Sequence, residues 1–204
     1  MRLPKELLRT SAVALLTLGF LGLILTGCSD YPPPTSSSGI SNYESPWNPQ
    51  PGDQINGHAI PLVNEDYWEN QYGNQINPWL AVPRPIPIGT AGGVITLGLH
   101  SLIIPAGAVD EPVNITLTYA SSTAIAVDCG PSPFEFHVPV TLILSYSGTQ
   151  YANTVIDPAD LRIYYMPPNW DGRSDDLVEM PSVVDTRALT VTCQTDHFSR
   201  YIIG

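Results

Sequence analysis

Val113-Asn114-Ile115-Thr116-Leu117-Thr118-Tyr119 alternates apolar and polar residues without a break. A period of two puts Val113, Ile115, Leu117 and Tyr119 on one face of an extended chain, which is the pattern of a half-buried strand. Val140, Leu142, Leu144 and Tyr146 repeat it, as do Leu161, Ile163 and Tyr165, and Leu189, Val191 and Cys193. Less regular strands are expected at 94–97, 99–104, 177–180 and 199–203. Turn residues separate them at Pro105-Ala106-Gly107, Gly130-Pro131 and Asp171-Gly172. No sustained helical period follows residue 28. Eight or so short strands within about 110 residues predict an all-β fold, an antiparallel β-sandwich.

Four pieces of this region carry a resemblance as a set. They are Gly92-Gly93-Val94; Leu102-Ile103-Ile104-Pro105-Ala106-Gly107-Ala108; Gly130-Pro131 with Phe134-Glu135-Phe136 and Pro139-Val140-Thr141-Leu142; and Asp196-His197-Phe198-Ser199-Arg200-Tyr201. In order and spacing they resemble the ZU-five domain, the β-sandwich of zonula occludens proteins, netrin receptors and ankyrins, over residues 90–204. The resemblance implies a binding and scaffolding module and no enzyme. The same motifs have a local logic. Pro105 has no amide for the next ladder and can end a strand, Gly107 can take turn dihedrals closed to other residues, and Phe134 and Phe136 share a core-facing side.

Some ZU-five relatives cut themselves between the Phe and Ser of a His-Phe-Ser sequence, matched here by His197, Phe198 and Ser199. The serine hydroxyl would attack the preceding carbonyl with help from the histidine, and the ester would hydrolyse. That chemistry needs a strained peptide bond as well as the residue types. The alternative is structural: His197 and Phe198 pack at the start of the last strand and Ser199 satisfies a turn. A cut there would free residues 199–204 and no downstream domain.

Arg2, Lys5 and Arg9 precede an almost unbroken apolar run from Ser11 to Leu25. About fifteen apolar residues match a signal-peptide core and fall short of the ~20 that span a bilayer. Leu25-Thr26-Gly27-Cys28 follows and is similar to the lipobox of bacterial lipoprotein precursors. The resemblance implies cleavage between Gly27 and Cys28, loss of residues 1–27, and acylation of Cys28, which would hold the chain at a membrane outside the cytoplasm. Ser29, and not Asp, follows the cysteine, which points to an outer-membrane or surface destination over the inner membrane. Residues 28–57, with Tyr31-Pro32-Pro33-Pro34, three serines and Pro46, Pro49 and Pro51, are expected to form a disordered, lipidated tether. Residues 58–89 hold Tyr67, Trp68, Tyr72 and Trp79 among polar residues; they either dock on the domain or stack on sugars or another partner, docking being favoured.

Of eight Lys and Arg in the chain, three precede Cys28, leaving Arg84, Arg162, Arg173, Arg187 and Arg200 against eighteen of the nineteen Asp and Glu, a net charge near −13. Such a surface excludes nucleic acid and anionic lipid headgroups as partners. The expected partners are the membrane, through the lipid on Cys28, and an envelope protein or polysaccharide. Cys129 and Cys193 read as a disulfide in an oxidising compartment, worth about 4 kcal/mol by loop-closure entropy, or else as two buried thiols. Two lone cysteines lack zinc-site spacing. Asp171-Gly172-Arg173-Ser174-Asp175-Asp176 lacks calcium-loop spacing and reads as a solvated hairpin. His58, His100 and His137 are scattered, and Asp110-Glu111 and Asp175-Asp176 sit in expected turns. No cofactor, metal site or catalytic set is expected.

Overall fold

A computed structural model describes residues 48–72, 84–153, 157–167 and 176–204. Gly27, Cys28, most of the expected tether, Trp79 and residues 171–175 of the acidic loop lie outside them. A small hairpin of β1 (Gln54–Ile55) and β2 (His58–Ala59) opens the described chain, and a short helix, α1 (Tyr67–Tyr72), follows it. Next come β3 (Ile86–Ile88), β4 (Gly93–Leu97) and β5 (His100–Ile104). Then come β6 (Val113–Tyr119), β7 (Ala126–Gly130) and the long β8 (Glu135–Ser145). The last strands are β9 (Ile163–Met166), β10 (Val178–Met180), β11 (Ser182–Asp185), β12 (Thr190–His197) and β13 (Arg200–Ile203).

The strands form a six-stranded sheet, in the order β10-β9-β13-β7-β6-β3, and a five-stranded sheet, β11-β12-β8-β5-β4. Every pairing is antiparallel, so the fold is all-β. The alternation in β6 sets its face: Ile115, Leu117 and Tyr119 are buried, while Asn114 is exposed. β8 crosses the middle of its sheet, with Leu142 opposite Leu102 of β5 on one side and Cys193 of β12 on the other. The two inner faces meet in one core. Leu102, Leu142, Leu144 and Val191 supply one side of it, and Ile115, Val127, Ile163 and Tyr201 the other. Each fully buried aliphatic contributes roughly 1.5–3 kcal/mol relative to exposure.

The six-stranded sheet is apolar on both faces. Tyr164 and Ile202 alternate with core residues Ile163 and Tyr201, yet are equally buried, because Ile55 and Ile60 pack with them in a second cluster. The β1–β2 hairpin and the chain after it therefore cover the outer face of this sheet. Residues 48–57 are not tether, contrary to the reading of their prolines. Ile55 is fully enclosed, and Asn48 Oδ1 accepts from Ser121 Oγ and from both the amide and hydroxyl of Ser122, at 3.1–3.3 Å. The sandwich also starts upstream of residue 90, since β3 pairs with β6.

Three further differences have local causes. β7 shows no alternation because most of its residues are buried on both faces of its sheet. Leu189, expected on a strand, has φ 55 and closes the turn into β12, its carbonyl accepting from Tyr146 N at 2.9 Å. The six residues of α1 are too few to display a helical period. At Gly92 (φ 72) a Cβ would collide with the Ile104 carbonyl, which makes glycine necessary where β4 begins. Among the described residues, no helix is long and apolar enough to cross a membrane.

Candidate functional site

His197-Phe198-Ser199 lies where the chain leaves β12 of one sheet for β13 of the other. Phe198 fills this corner. Its ring sits 4.6 Å from Phe136 and 5.7 Å from Phe134, and its amide donates to the Phe134 carbonyl at 2.9 Å. The Phe198 carbonyl, the one self-cleavage would attack, accepts from Ser132 Oγ at 3.0 Å. Ser199 Oγ donates to the Met166 carbonyl of β9 at 2.8 Å, and its own carbonyl accepts from Cys129 N at 2.9 Å.

His197 Nδ1 lies 2.8 Å from Asp196 Oδ1, a hydrogen bond that holds the Asp196 carboxyl below its usual range. The imidazole meets Tyr165 edge-on at 4.6 Å. The Tyr201 hydroxyl donates to the His197 carbonyl at 2.7 Å and shares a 2.8 Å hydrogen bond with Thr195 Oγ1. Burial pushes the Tyr201 hydroxyl far above the ordinary tyrosine range, so it remains a donor. The three motif residues are together, but the serine proton points to a backbone carbonyl, which cannot act as its base. This corner joins the two sheets by hydrogen bonds.

Cys129 in β7 and Cys193 in β12 face the shared core from opposite sheets. Both are free thiols, which corrects the expected bridge. Burial pushes Cys193 up to about 12 and Cys129 further, the latter helped by the charge of Asp128. Thiols so protonated and enclosed are poor nucleophiles for disulfide exchange and pack as small apolar side chains.

A cleft of about 550 Å³ opens elsewhere, between α1, the β4–β5 turn and the loop after β8. Its position follows from how α1 is anchored. Asn64 N donates to the Gly148 carbonyl at 2.9 Å, and the Tyr67 ring lies where a Cβ of residue 148 would be. Glycine at 148 is therefore what lets the helix seat. Ser145 N donates to His100 Nδ1 at 3.0 Å, which fixes the ring proton on Nε2, 3.3 Å from the Tyr67 hydroxyl. Burial lowers His100 to about 4, so the ring is neutral. Trp68 Nε1 donates to the Ser122 carbonyl at 2.9 Å, and its ring packs edge-on against Tyr67 and Tyr119. Tyr67 and Trp68 anchor α1 on the sandwich.

What the anchoring exposes is polar. Asn64, Asp66, Asn70, Gln71 and Ser147 line the cleft, with Leu99, 54% exposed, at its rim. Asn70 Nδ2 donates to Asp66 Oδ2 at 2.8 Å. The Gln71 Nε2 amide is buried without a hydrogen-bond partner among the described residues. These residues come from three separated segments, and no spacing in the sequence joins them. The scattered histidines have structural places: His100 is in the core, and exposed His137 pairs with Asp110 at 2.8 Å. Among the described residues no group of three or more His, Cys, Asp or Glu could hold a metal ion. Neither the known protein-family models nor the characterised proteins include a match to this chain.

Proposed function

We propose that this chain is a lipid-anchored envelope protein presenting a ZU-five-like β-sandwich as a non-catalytic interaction module. Cys28 would carry the lipid after removal of residues 1–27, and a proline-rich stalk ending before residue 48 would hold the sandwich off an outer membrane or cell surface. The observation that carries the non-catalytic reading is the hydrogen bond from Ser199 Oγ to the Met166 carbonyl, which ties the one nucleophile of the His-Phe-Ser motif to β9 of the six-stranded sheet. The rival reading, self-cleavage between Phe198 and Ser199, draws support from Ser132, whose hydroxyl donates to the carbonyl that would become the oxyanion.

Intact-mass measurement of the chain purified from cells separates the two. The interaction module gives one acylated species ending at residue 204, while loss of residues 199–204 in the parent but not in Ser199→Ala would establish the rival. Cys28→Ser should move the chain from the membrane fraction to the soluble one; unchanged partitioning would remove the lipid anchor from the account.

A further inference from the structure

From the cleft between α1, the β4–β5 turn and Gly148, we infer a binding site for a neutral saccharide, an inference that rests on the interaction-module reading and names its ligand class. The cleft falls within the size range of small-molecule sites, about 300–1,000 Å³. Its chemistry narrows the choice. Asn64, Asn70 and Gln71 among the lining residues carry carboxamides, groups that hold a donor and an acceptor side by side, and Ser147 adds a hydroxyl. Vicinal sugar hydroxyls, each both donor and acceptor, match such an array.

Among the described lining residues Asp66 is the single carboxylate, and Asn70 already donates to one of its oxygens, leaving the other to accept from a hydroxyl. Among the described residues no Lys, Arg or His lines the cleft. A phosphate, uronate or nucleotide would therefore meet a carboxylate without a cation, in a chain of net charge −11. An apolar ligand would strand the amides, at roughly 1–3 kcal/mol for each polar group left unpaired.

Gln71 lines the cleft, and its Nε2 is one of six buried side-chain polar atoms without a hydrogen-bond partner among the described residues; a small turn of the side chain toward the cleft would let a ligand supply the acceptor. A sugar hydroxyl or ring oxygen does so. Leu99, half out of the turn, gives the apolar C–H face of a pyranose a surface to rest on. An extended peptide fits less well, because the cleft opens at the end of the β4–β5 hairpin and not along a free strand ladder.

The test is saturation-transfer NMR on the full chain, purified in a detergent without a sugar headgroup, with maltose, cellobiose, lactose and diacetylchitobiose, and glucose 6-phosphate and galacturonate as charged comparators. At least one neutral disaccharide should receive saturation and bind about tenfold or more tighter than either anion. Asn70→Ala and Gln71→Ala should each weaken it about tenfold, the loss of one good hydrogen bond, and Leu99→Ala about threefold. Melting temperatures identify any variant that fails to fold, and exposed Leu99→Glu supplies a second probe of the same rim. No transfer to any neutral sugar, binding unmoved by Gln71→Ala and Leu99→Glu, or preference for the anions would overturn the inference. If sugars fail and a photocrosslinker at Leu99 captures an envelope protein, the saccharide is wrong and the interaction module stands; if neither binds, both fall.

Discussion

The corner at His197-Phe198-Ser199 and the cleft beside α1 are both polar places on an apolar sandwich, and they differ in which polar groups the fold pairs. At the corner the carbonyl of Phe198 and the hydroxyls of Ser199, Thr195 and Tyr201 are all hydrogen-bonded within the fold, and only the ring and guanidinium nitrogens His197 Nε2 and Arg200 Nε are buried without a partner among the described residues. In the cleft an amide is buried with nothing to donate to. The serine hydroxyl of a motif that reads as chemistry is hydrogen-bonded to a strand of the fold, while an amide that belongs to no motif has no partner among the described residues. Satisfied polar networks stabilise and rigidify, and a buried donor without an acceptor costs stability.

The largest effect should come from the corner's apolar support. Phe198→Ala empties a site shared by Phe134 and Phe136 at the join of the sheets, and should cost about 3–5 kcal/mol in denaturant unfolding. A loss below about 1 kcal/mol would mean that the corner does not hold the sheets together. Next is the pH response of the support beneath the cleft. His100 is lowered from 6.5 to about 4 in the folded chain by burial. The unfolded chain therefore binds this proton first: the contribution is fully present above pH 6.5 and is lost as pH falls toward 4, about 3 kcal/mol in all. Urea midpoints from pH 7.5 to 4 should fall less steeply in His100→Gln; parallel curves would place the neutral imidazole elsewhere than in the core.

Two smaller effects sharpen the contrast directly. Thr195→Val removes a hydroxyl that bonds Tyr201 and accepts from the His197 amide, and should cost about 1–3 kcal/mol by leaving buried partners unpaired. Gln71→Leu removes a polar group that has no partner, and should leave stability within about 0.5 kcal/mol of the parent or raise it. Equal losses in the two variants would erase the distinction between satisfied and unsatisfied sites.

Much of the sandwich was legible because its strands obey a period of two: β6 falls on residues 113–119, and β5, β10 and β13 lie within a residue or two of the expected segments. What stayed hidden was buried on both sides or defined from afar. Most of β7 is covered on each face, so its alternation vanishes. Ile55 sits among prolines and polar residues that read as tether, and only the second apolar face of the six-stranded sheet, through Tyr164 and Ile202, explains why it is buried with Ile60. The cysteines share a core as the spacing allowed, but as free thiols. The cleft had no signature, because Asn64, Gln71, Leu99 and Ser147 meet through tertiary packing and no two segments share a motif. Tyr67-Trp68 was the nearest signal, and it marks the anchor of the site and not its binding face.

Photocrosslinking amino acids placed singly at Leu99, beside the cleft, and at exposed Gln194, three residues before His197 in β12, in the membrane-anchored chain within intact cells, tell binding through the cleft from binding through the corner. An envelope adduct, glycan or protein, should form from Leu99 and none from Gln194. Adducts from Gln194 alone, or from neither position with both variants folded and at the membrane, would contradict it.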